Sequence, residues 1–492
     1  MQPSQRYILW PCLLGGVALY SPVWAAIGLL LFWVSRDRVP ALQFYLKPFQ
    51  EDRPLWWLIP TALFVGLFLA RHPFPTDDLL RDLTAWAWHY DYRSVFWGSP
   101  RVPGYDQYVG FDHLGALAYR YLSPQWAPLL FQGVALVGFV LAFAAVLGKK
   151  LERHPLRWTL VSLGIAWALS TPVLIRIIAG RPEIFFTIWT LFAFSASRRR
   201  FWIWLLAGAL LTPTYWLAGA YSAAFWVLPG RSIRFRFLGS FLFGLVTVGV
   251  WEYLSGGLWL PNFLHLSHMI SYRVYGVAED NGLSVLLQIP LVVLIPVAMA
   301  LLPWKLFRTK ASTLFLFLWF CIPWMVRYVD MLVPLGLLLL VEGLDPHWGS
   351  TWPENYRARL RLVIFFALFS LPWAVVPLST PTLIRIPGNQ AHPVRVLAPF
   401  GPKMYDTLYA NPGTIRIAPA MDPGMTRRSL QYLVEHLAQA PCVTLQDSRA
   451  QYLVTEQDLP KRACLRRLTV RNGWSLWQIL PKKKPEHKAP VG

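Results

Sequence analysis

The sequence predicts a polytopic α-helical membrane protein of about 12–13 transmembrane helices with a small external α/β domain at its C-terminus. Three observations carry that prediction. Hydrophobic residues make up 55% of the 492 positions and charged residues only 14%, a balance outside the range of soluble globular chains. Apolar runs of about 15–25 residues recur along the chain, long enough to cross a hydrocarbon core. The basic residues behind the net charge of +21 stand in short clusters between those runs. That is the distribution of cytoplasmic loops and not the continuous basic face of a nucleic-acid-binding protein.

In chain order, Tyr7 to Val34 is apolar but broken at Ser21-Pro22, and reads as one tilted helix or a tight hairpin. It is too long for the apolar core of a signal peptide and lacks a small-residue cleavage site. Arg36, Arg38, Lys47 and Arg53 mark a cytoplasmic loop, so Leu55 to Ala70 crosses outward and the polar loop 72–123 faces out. Ala127 to Leu147 returns to Lys149, Lys150 and Arg153, Trp158 to Leu174 goes out, and Ile184 to Ala196 comes back to Arg198-Arg199-Arg200. Trp202 to Val227, interrupted by Thr212-Pro213-Thr214, is a short out-and-back pair ending at Arg231, Arg234 and Arg236. Phe237 to Tyr253 exits, Leu283 to Leu302 re-enters, Leu314 to Met325 exits and Met331 to Val341 re-enters to Arg357, Arg359 and Arg361. Leu362 to Val376 makes the last outward crossing.

This divides the chain into a membrane domain, 1–380, and an external soluble domain with a basic tail, 381–492. In the second, Val394 to Leu397, Thr414 to Ala418, Cys442 to Leu445, Gln451 to Thr455 and Ser475 to Leu480 read as strands. Thr426 to Ala440 has the helical spacing of Leu430, Leu433, Val434 and Leu437. Cys12 and Cys321 fall in spans and read as small apolar residues. Cys442 and Cys464 fall together in the external domain, where a disulfide is chemically allowed.

The chemistry concentrates at outer span ends. His72-Pro-Phe-Pro-Thr-Asp-Asp-Leu-Leu-Arg-Asp-Leu83 places two acids, Asp77 and Asp78, a few residues beyond a membrane helix. Thr76 followed by two acids is also an ordinary helix N-terminus, and either acid is spaced to pair with Arg81. Arg176, Gly180-Arg181-Pro182-Glu183, His265, His268, Arg273 and Arg327-Tyr328 lie on the same outer side, where cations are disfavoured by topology. Trp86, Trp88, Tyr90, Tyr92 and Trp97 suit either a sugar platform or a buried loop core. The loop 256–282, with its own aromatic and basic residues, suits carrier docking or interfacial anchoring. His265 and His268 have i, i+3 spacing but no third ligand, so no metal site is assigned.

This arrangement resembles the GT-C superfamily of integral-membrane glycosyltransferases. The likeness rests on the many spans, the long first external loop opening with Asp77-Asp78, short hairpin-like spans in the middle and an external C-terminal domain. Arg327-Tyr328 followed by Pro334 is similar to an Arg-Tyr segment of such enzymes, and Gly180-Arg181-Pro182-Glu183 to their Arg-Pro-acid segment, whereas a Trp-Trp-Asp segment is absent. The resemblance implies transfer of a sugar from a polyprenyl-phosphate carrier to a glycan, lipid or protein acceptor at the outer membrane face, without a required cofactor; a divalent metal is possible but not indicated. Asp77 or Asp78 is then the general base, and Arg327, Arg181, Arg176, Arg273 and Tyr328 bind the donor phosphate. Glu183, His265, His268 and Tyr215 contact substrate. The competing class is a transporter or flippase of lipid-linked sugars, which expects ionisable residues deep within spans. No Asn-x-Ser/Thr triplet occurs, which favours a bacterial plasma membrane with the C-terminal domain in the periplasm.

Overall fold

Val394-Arg-Val-Leu397 and Ile415-Arg-Ile-Ala418 are short β-branched runs, and they form β1 (Val394–Leu397) and β2 (Ile415–Ala418), paired in parallel. The structure is a computed structural model that describes residues 50–54, 78–89, 91–98, 108–124, 126–168, 176–177, 179–195, 201–202, 205, 208–209, 231–254, 338, 341, 351–354, 356–358, 360–361, 383–399, 402–418 and 427–482. The chain divides into two compact units. One holds residues 1–73, 129–245 and 279–378; the other holds 74–128, 246–278 and 379–492.

The second unit is built on a five-stranded sheet of order β2-β1-β3-β5-β4, completed by β3 (Tyr452–Thr455), β4 (Leu465–Arg471) and β5 (Trp474–Ile479). β2, β1 and β3 are parallel, and β5 and β4 add antiparallel to that edge. Five helical elements of residues 78–121 and of the C-terminal region serve this sheet: α1 (Asp78–Asp82), α2 (Tyr92–Val95), α3 (Val109–Tyr121), a 3-10 turn over Ala85–Trp88, and, later in the chain, Pro402–Ala410. One face of the sheet, Leu397, Ala418, Leu453, Trp477 and Ile479, packs with Leu430, Leu433, Val434, Leu437 and Leu445. Side chains alternate across a strand, so Val396, Ile417, Val454 and Leu476 face the other way, and they too are buried. The edge at β2 is closed by the segment after α2: Phe96 bridges Ile417, and Trp97 N donates to the Ile417 carbonyl at 3.2 Å. Covering an edge in this way removes a row of unpaired backbone groups.

Burial of Leu79, Leu80, Leu83, Val95 and Phe96, all at 2% exposure or less, contributes on the order of 10 kcal/mol before ordering entropy is subtracted. Residues 78–98 are therefore part of this unit's core, although about 300 residues separate them in sequence from the sheet. At Gly98 the backbone takes φ +73° and comes against Leu430, so a side chain there meets both a left-handed conformation and a filled core.

Four of the expected strand segments coincide with β1, β2, β3 and β5. Cys442 to Leu445, expected as a strand, is instead a helix, Cys442–Asp447. Pro441 presets its entry, and a helical turn puts Cys442 and Leu445 on the core while leaving Val443 at 57% exposure; a strand would bury only one of them. The helix expected over 426–440 spans Arg428–Glu435 and runs on through a turn that buries Leu437. Cys442 and Cys464 form a disulfide, with Cα atoms 5.7 Å apart.

In the first unit, α4 (Ala127–Lys150) is, among the described residues, the one helix long and apolar enough to cross a membrane. It packs beside α5 (Arg157–Ala168) and α6 (Pro182–Ser195), with Gly164 against Leu147 and Phe143, Gly138 against Ile188, and the Phe131 and Phe185 rings 6.4 Å apart. Its remaining face leaves Leu130, Val134, Val137 and Leu141 exposed. α7 (Arg231–Leu254), whose residues from Val246 on belong to the second unit, meets Gly208 so closely that a Cβ there falls 2.0 Å from the Ser240 carbonyl oxygen, and it exposes Phe235, Leu238, Leu242, Val246 and Val250. Both stripes recur at helical spacing. Asp52 caps α5 from outside: its carboxylate accepts from Trp158 N at 2.8 Å and from Thr159 N at 3.1 Å, and Arg361 lies 3.4 Å away.

Candidate active site

Asp78 is the first residue of α1, at the end where free backbone N–H groups favour an acid. The rest of that short helix is held from every side. Leu79, Leu80 and Leu83 have no exposure. Thr84 closes the far end by donating its hydroxyl to the carbonyls of Leu80 at 3.1 Å and Arg81 at 3.0 Å. Arg81 and Asp82 are 3% and 0% exposed, and the Arg81 Nη2 and Nε donate to the same Asp82 oxygen at 2.7 and 2.9 Å. The sequence spacing suggested a pairing of Arg81 with Asp77 or Asp78, and the structure adds this bond to the adjacent Asp82. The guanidinium also lies 5.8 Å over the ring of Tyr405 from α8 (Pro402–Ala410).

The loop aromatics extend this support. Trp86 lies 6.0 Å from Tyr119, with Arg120 over its face at 4.8 Å. Tyr119 meets Tyr409 edge-on at 5.5 Å, and the Tyr409 hydroxyl donates to the Pro124 carbonyl. Burial pushes the Tyr119 phenol up, with Arg385 acting in the opposite sense; burial and then Tyr119 push the Tyr409 phenol up further. Trp97 Nε1 donates to the Val396 carbonyl at 3.3 Å, and Arg395 covers its ring at 5.5 Å. Trp86, Trp88 and Trp97 thus belong to the loop core, while Tyr92 begins α2 and Tyr90 lies outside the described residues.

Arg176, Arg181 and Glu183 are brought together at the start of α6. Gly180 takes φ +61°, and this left-handed residue lets Arg181 N donate to the Arg176 carbonyl at 3.4 Å. Pro182 then occupies the first helical position, where its missing N–H costs nothing, and Glu183 sits in the first turn at 3% exposure. Both arginines are half-buried. Asp77, Tyr215, His265, His268, Arg273, Arg327 and Tyr328 lie outside the described residues.

No protein-family model matches the chain, and no curated protein matches it. Among the described residues no group of three His, Cys, Asp or Glu side chains is placed to hold a metal. Two features were not read from the sequence: the buried Arg81–Asp82 pair, and Asp112 in α3, whose side chain is fully buried. A signal for the second was present. Phe111, Gly115, Ala116 and Ala118 form the apolar face of a helix, and Asp112 falls on that face.

Proposed function

We propose that the chain is an integral-membrane glycosyltransferase of the GT-C type, which moves a sugar from a polyprenyl-phosphate carrier to an acceptor hydroxyl on the periplasmic face of a bacterial inner membrane. The observation that supports this most is the seat of Asp78: an acid at the first turn of a helix whose body is locked into the core of the external unit. A general base works only if it is held in place relative to the attacking group, and a clamped helix supplies that rigidity. The exposed apolar stripes on α4 and α7 suit a lipid surround, and the Cys442–Cys464 disulfide suits an oxidising compartment.

In the reaction, the acceptor oxygen attacks the anomeric carbon as the bond from that carbon to the phosphate oxygen breaks. The hydroxyl proton passes to the Asp77 or Asp78 carboxylate, and the electron pair leaves on the carrier phosphate. Direct displacement inverts the anomeric carbon. The growing phosphate charge needs fixed donors, the role proposed for Arg327, Arg181, Arg176, Arg273 and Tyr328. The rigid turn at Gly180 gives Arg176 and Arg181 a defined backbone from which to act.

The test is release of polyprenyl phosphate from a polyprenyl-phosphate hexose by the purified chain. Asp77→Asn and Asp78→Asn should leave the chain folded, with one of them slowed by roughly a hundredfold or more. Arg327→Lys should keep the charge, lose the two-pronged grip and lower both donor affinity and rate. Near-normal turnover in both Asn variants sinks the assignment of the base.

A further inference from the structure

Helix α3 carries a carboxylate where its amphipathic pattern calls for an apolar residue. Asp112 has 0% exposure, and neither of its side-chain oxygens has a hydrogen-bond partner. A buried ionised carboxylate is costly unless something compensates it. Its place in the first turn of α3 puts it near the positive end of that helix, which eases the charge but does not fill its lone pairs.

Two contacts fix where Asp112 stands. Gly115 lies against Leu83 and Asp82, its Cβ position 3.3 Å from the Leu83 Cα and 3.4 Å from the Asp82 carbonyl oxygen. Further along α3, Tyr119 and Arg120 meet Trp86 at 6.0 and 4.8 Å. Rising numbers on α3 thus meet rising numbers on residues 82–86, so the two segments run in the same direction. Asp112 is one turn before Gly115, and about 5 Å back along that direction is the start of α1, the turn that Asp78 opens.

We propose that Asp112 is a second carboxylate of the candidate active site and accepts a hydrogen bond from a hydroxyl of the saccharide substrate; this rests on the glycosyltransferase reading. The neighbouring groups decide between a hydroxyl and a cation. Among the described residues no group of three His, Cys, Asp or Glu side chains that includes Asp112 is placed to hold a cation. An ionised carboxylate is an acceptor only, and a hydroxyl supplies the donor that its lone pairs lack. A hydroxylated ring carries several such donors. The Asp112 carboxylate is fully buried, so entry of the sugar requires the α1–α3 seam to open.

The experiment uses the full chain in detergent with Asp112→Asn and Asp112→Ser, reading the unfolding temperature and the release of polyprenyl phosphate. An unfolding temperature equal to or above the parent's, with turnover down roughly a hundredfold, supports the proposal, because an uncompensated functional group is held at the expense of stability. Lower stability in both variants shows a structural partner for Asp112 and overturns it. Unchanged turnover overturns it as well. Mn²⁺ that raises the unfolding temperature of the parent but not of Asp112→Asn makes this a cation site and overturns the hydroxyl assignment. A parent chain that releases no polyprenyl phosphate overturns the glycosyltransferase reading, and that result is visible before any variant is made.

Discussion

Removing the tie between Cys442 and Cys464 tests both the stability of the second unit and the compartment it occupies. The two cysteines are 22 residues apart in sequence, and closing a loop of that length in the unfolded chain is worth about 3 kcal/mol on the chain-entropy account. Cys464 is 3% exposed within the apolar cluster and Cys442 packs on it, so Ala at both sites adds a small packing loss to the entropic one. In a unit of this size, such a loss lowers the unfolding midpoint by roughly 6–12 °C. The assay is hydrogen exchange of residues 394–479 in the full chain across a temperature series, with and without reductant. Reduction of the parent and the double Ala variant should give the same early loss of protection. Alkylation of intact cells should leave both thiols unlabelled until reductant is added. A midpoint indifferent to reductant, or cysteines that label without reduction in cells, refutes the reasoning.

Three further predictions address other joints of the structure. Gly98→Ala forces a side chain into a left-handed conformation against Leu430 and should destabilise the second unit by about 1–2 kcal/mol, read as faster exchange over residues 78–98. Asp52→Ala removes the acceptor of three bonds at the start of α5 and the ion-pair partner 3.4 Å from Arg361; a loss of about 1–3 kcal/mol should appear as lower yield and an earlier melt. Tyr409 titrates above its ordinary value because burial disfavours the phenolate, so its contribution to stability is complete below about pH 10, the unfolded value, and is lost as pH rises beyond it. Tyr409→Phe should cost about 1 kcal/mol at neutral pH through the lost bond to Pro124 and should flatten the alkaline loss of stability; an unaltered alkaline limb contradicts this.

How much was legible in the sequence depended on whether a segment reported on itself. The β-branched runs Val394–Leu397 and Ile415–Ala418 and the amphipathic spacing of Leu430, Leu433 and Val434 announce a strand, a strand and a helix from local pattern alone. Cys442–Asp447 misled because a β-branched, apolar tetrapeptide is equally consistent with both periods over so short a stretch, and Pro441 was the cue that decides it. β4, with Arg466, Arg467 and Arg471 among its exposed residues, has no alternation to read because it is an edge strand. The union of residues 78–124 with the sheet was hidden for another reason. Contacts such as Phe96 with Ile417 or Tyr119 with Tyr409 join positions about 300 apart, and no local periodicity reports a partner at that distance. Of the proposed site, the acid at the head of a helix and the Gly-Arg-Pro-Glu turn could be read locally, since caps and left-handed glycines leave short signatures. Asp112 could be noticed only as a break in an apolar face, and its lack of a partner is a property of the packed structure.

A glycosyltransferase breaks the bond between sugar and carrier, and a transporter leaves it intact. The most direct measurement reconstitutes the chain into vesicles with a polyprenyl-phosphate hexose labelled in the sugar, supplies an acceptor on the outer side, and follows both label and carrier by mass spectrometry. The prediction is that label leaves the lipid for the acceptor, that polyprenyl phosphate accumulates in equal amount, and that the Asp77→Asn, Asp78→Asn double variant does neither. Intact labelled lipid crossing the bilayer with no polyprenyl phosphate formed would contradict the account and make the chain a carrier of lipid-linked sugars.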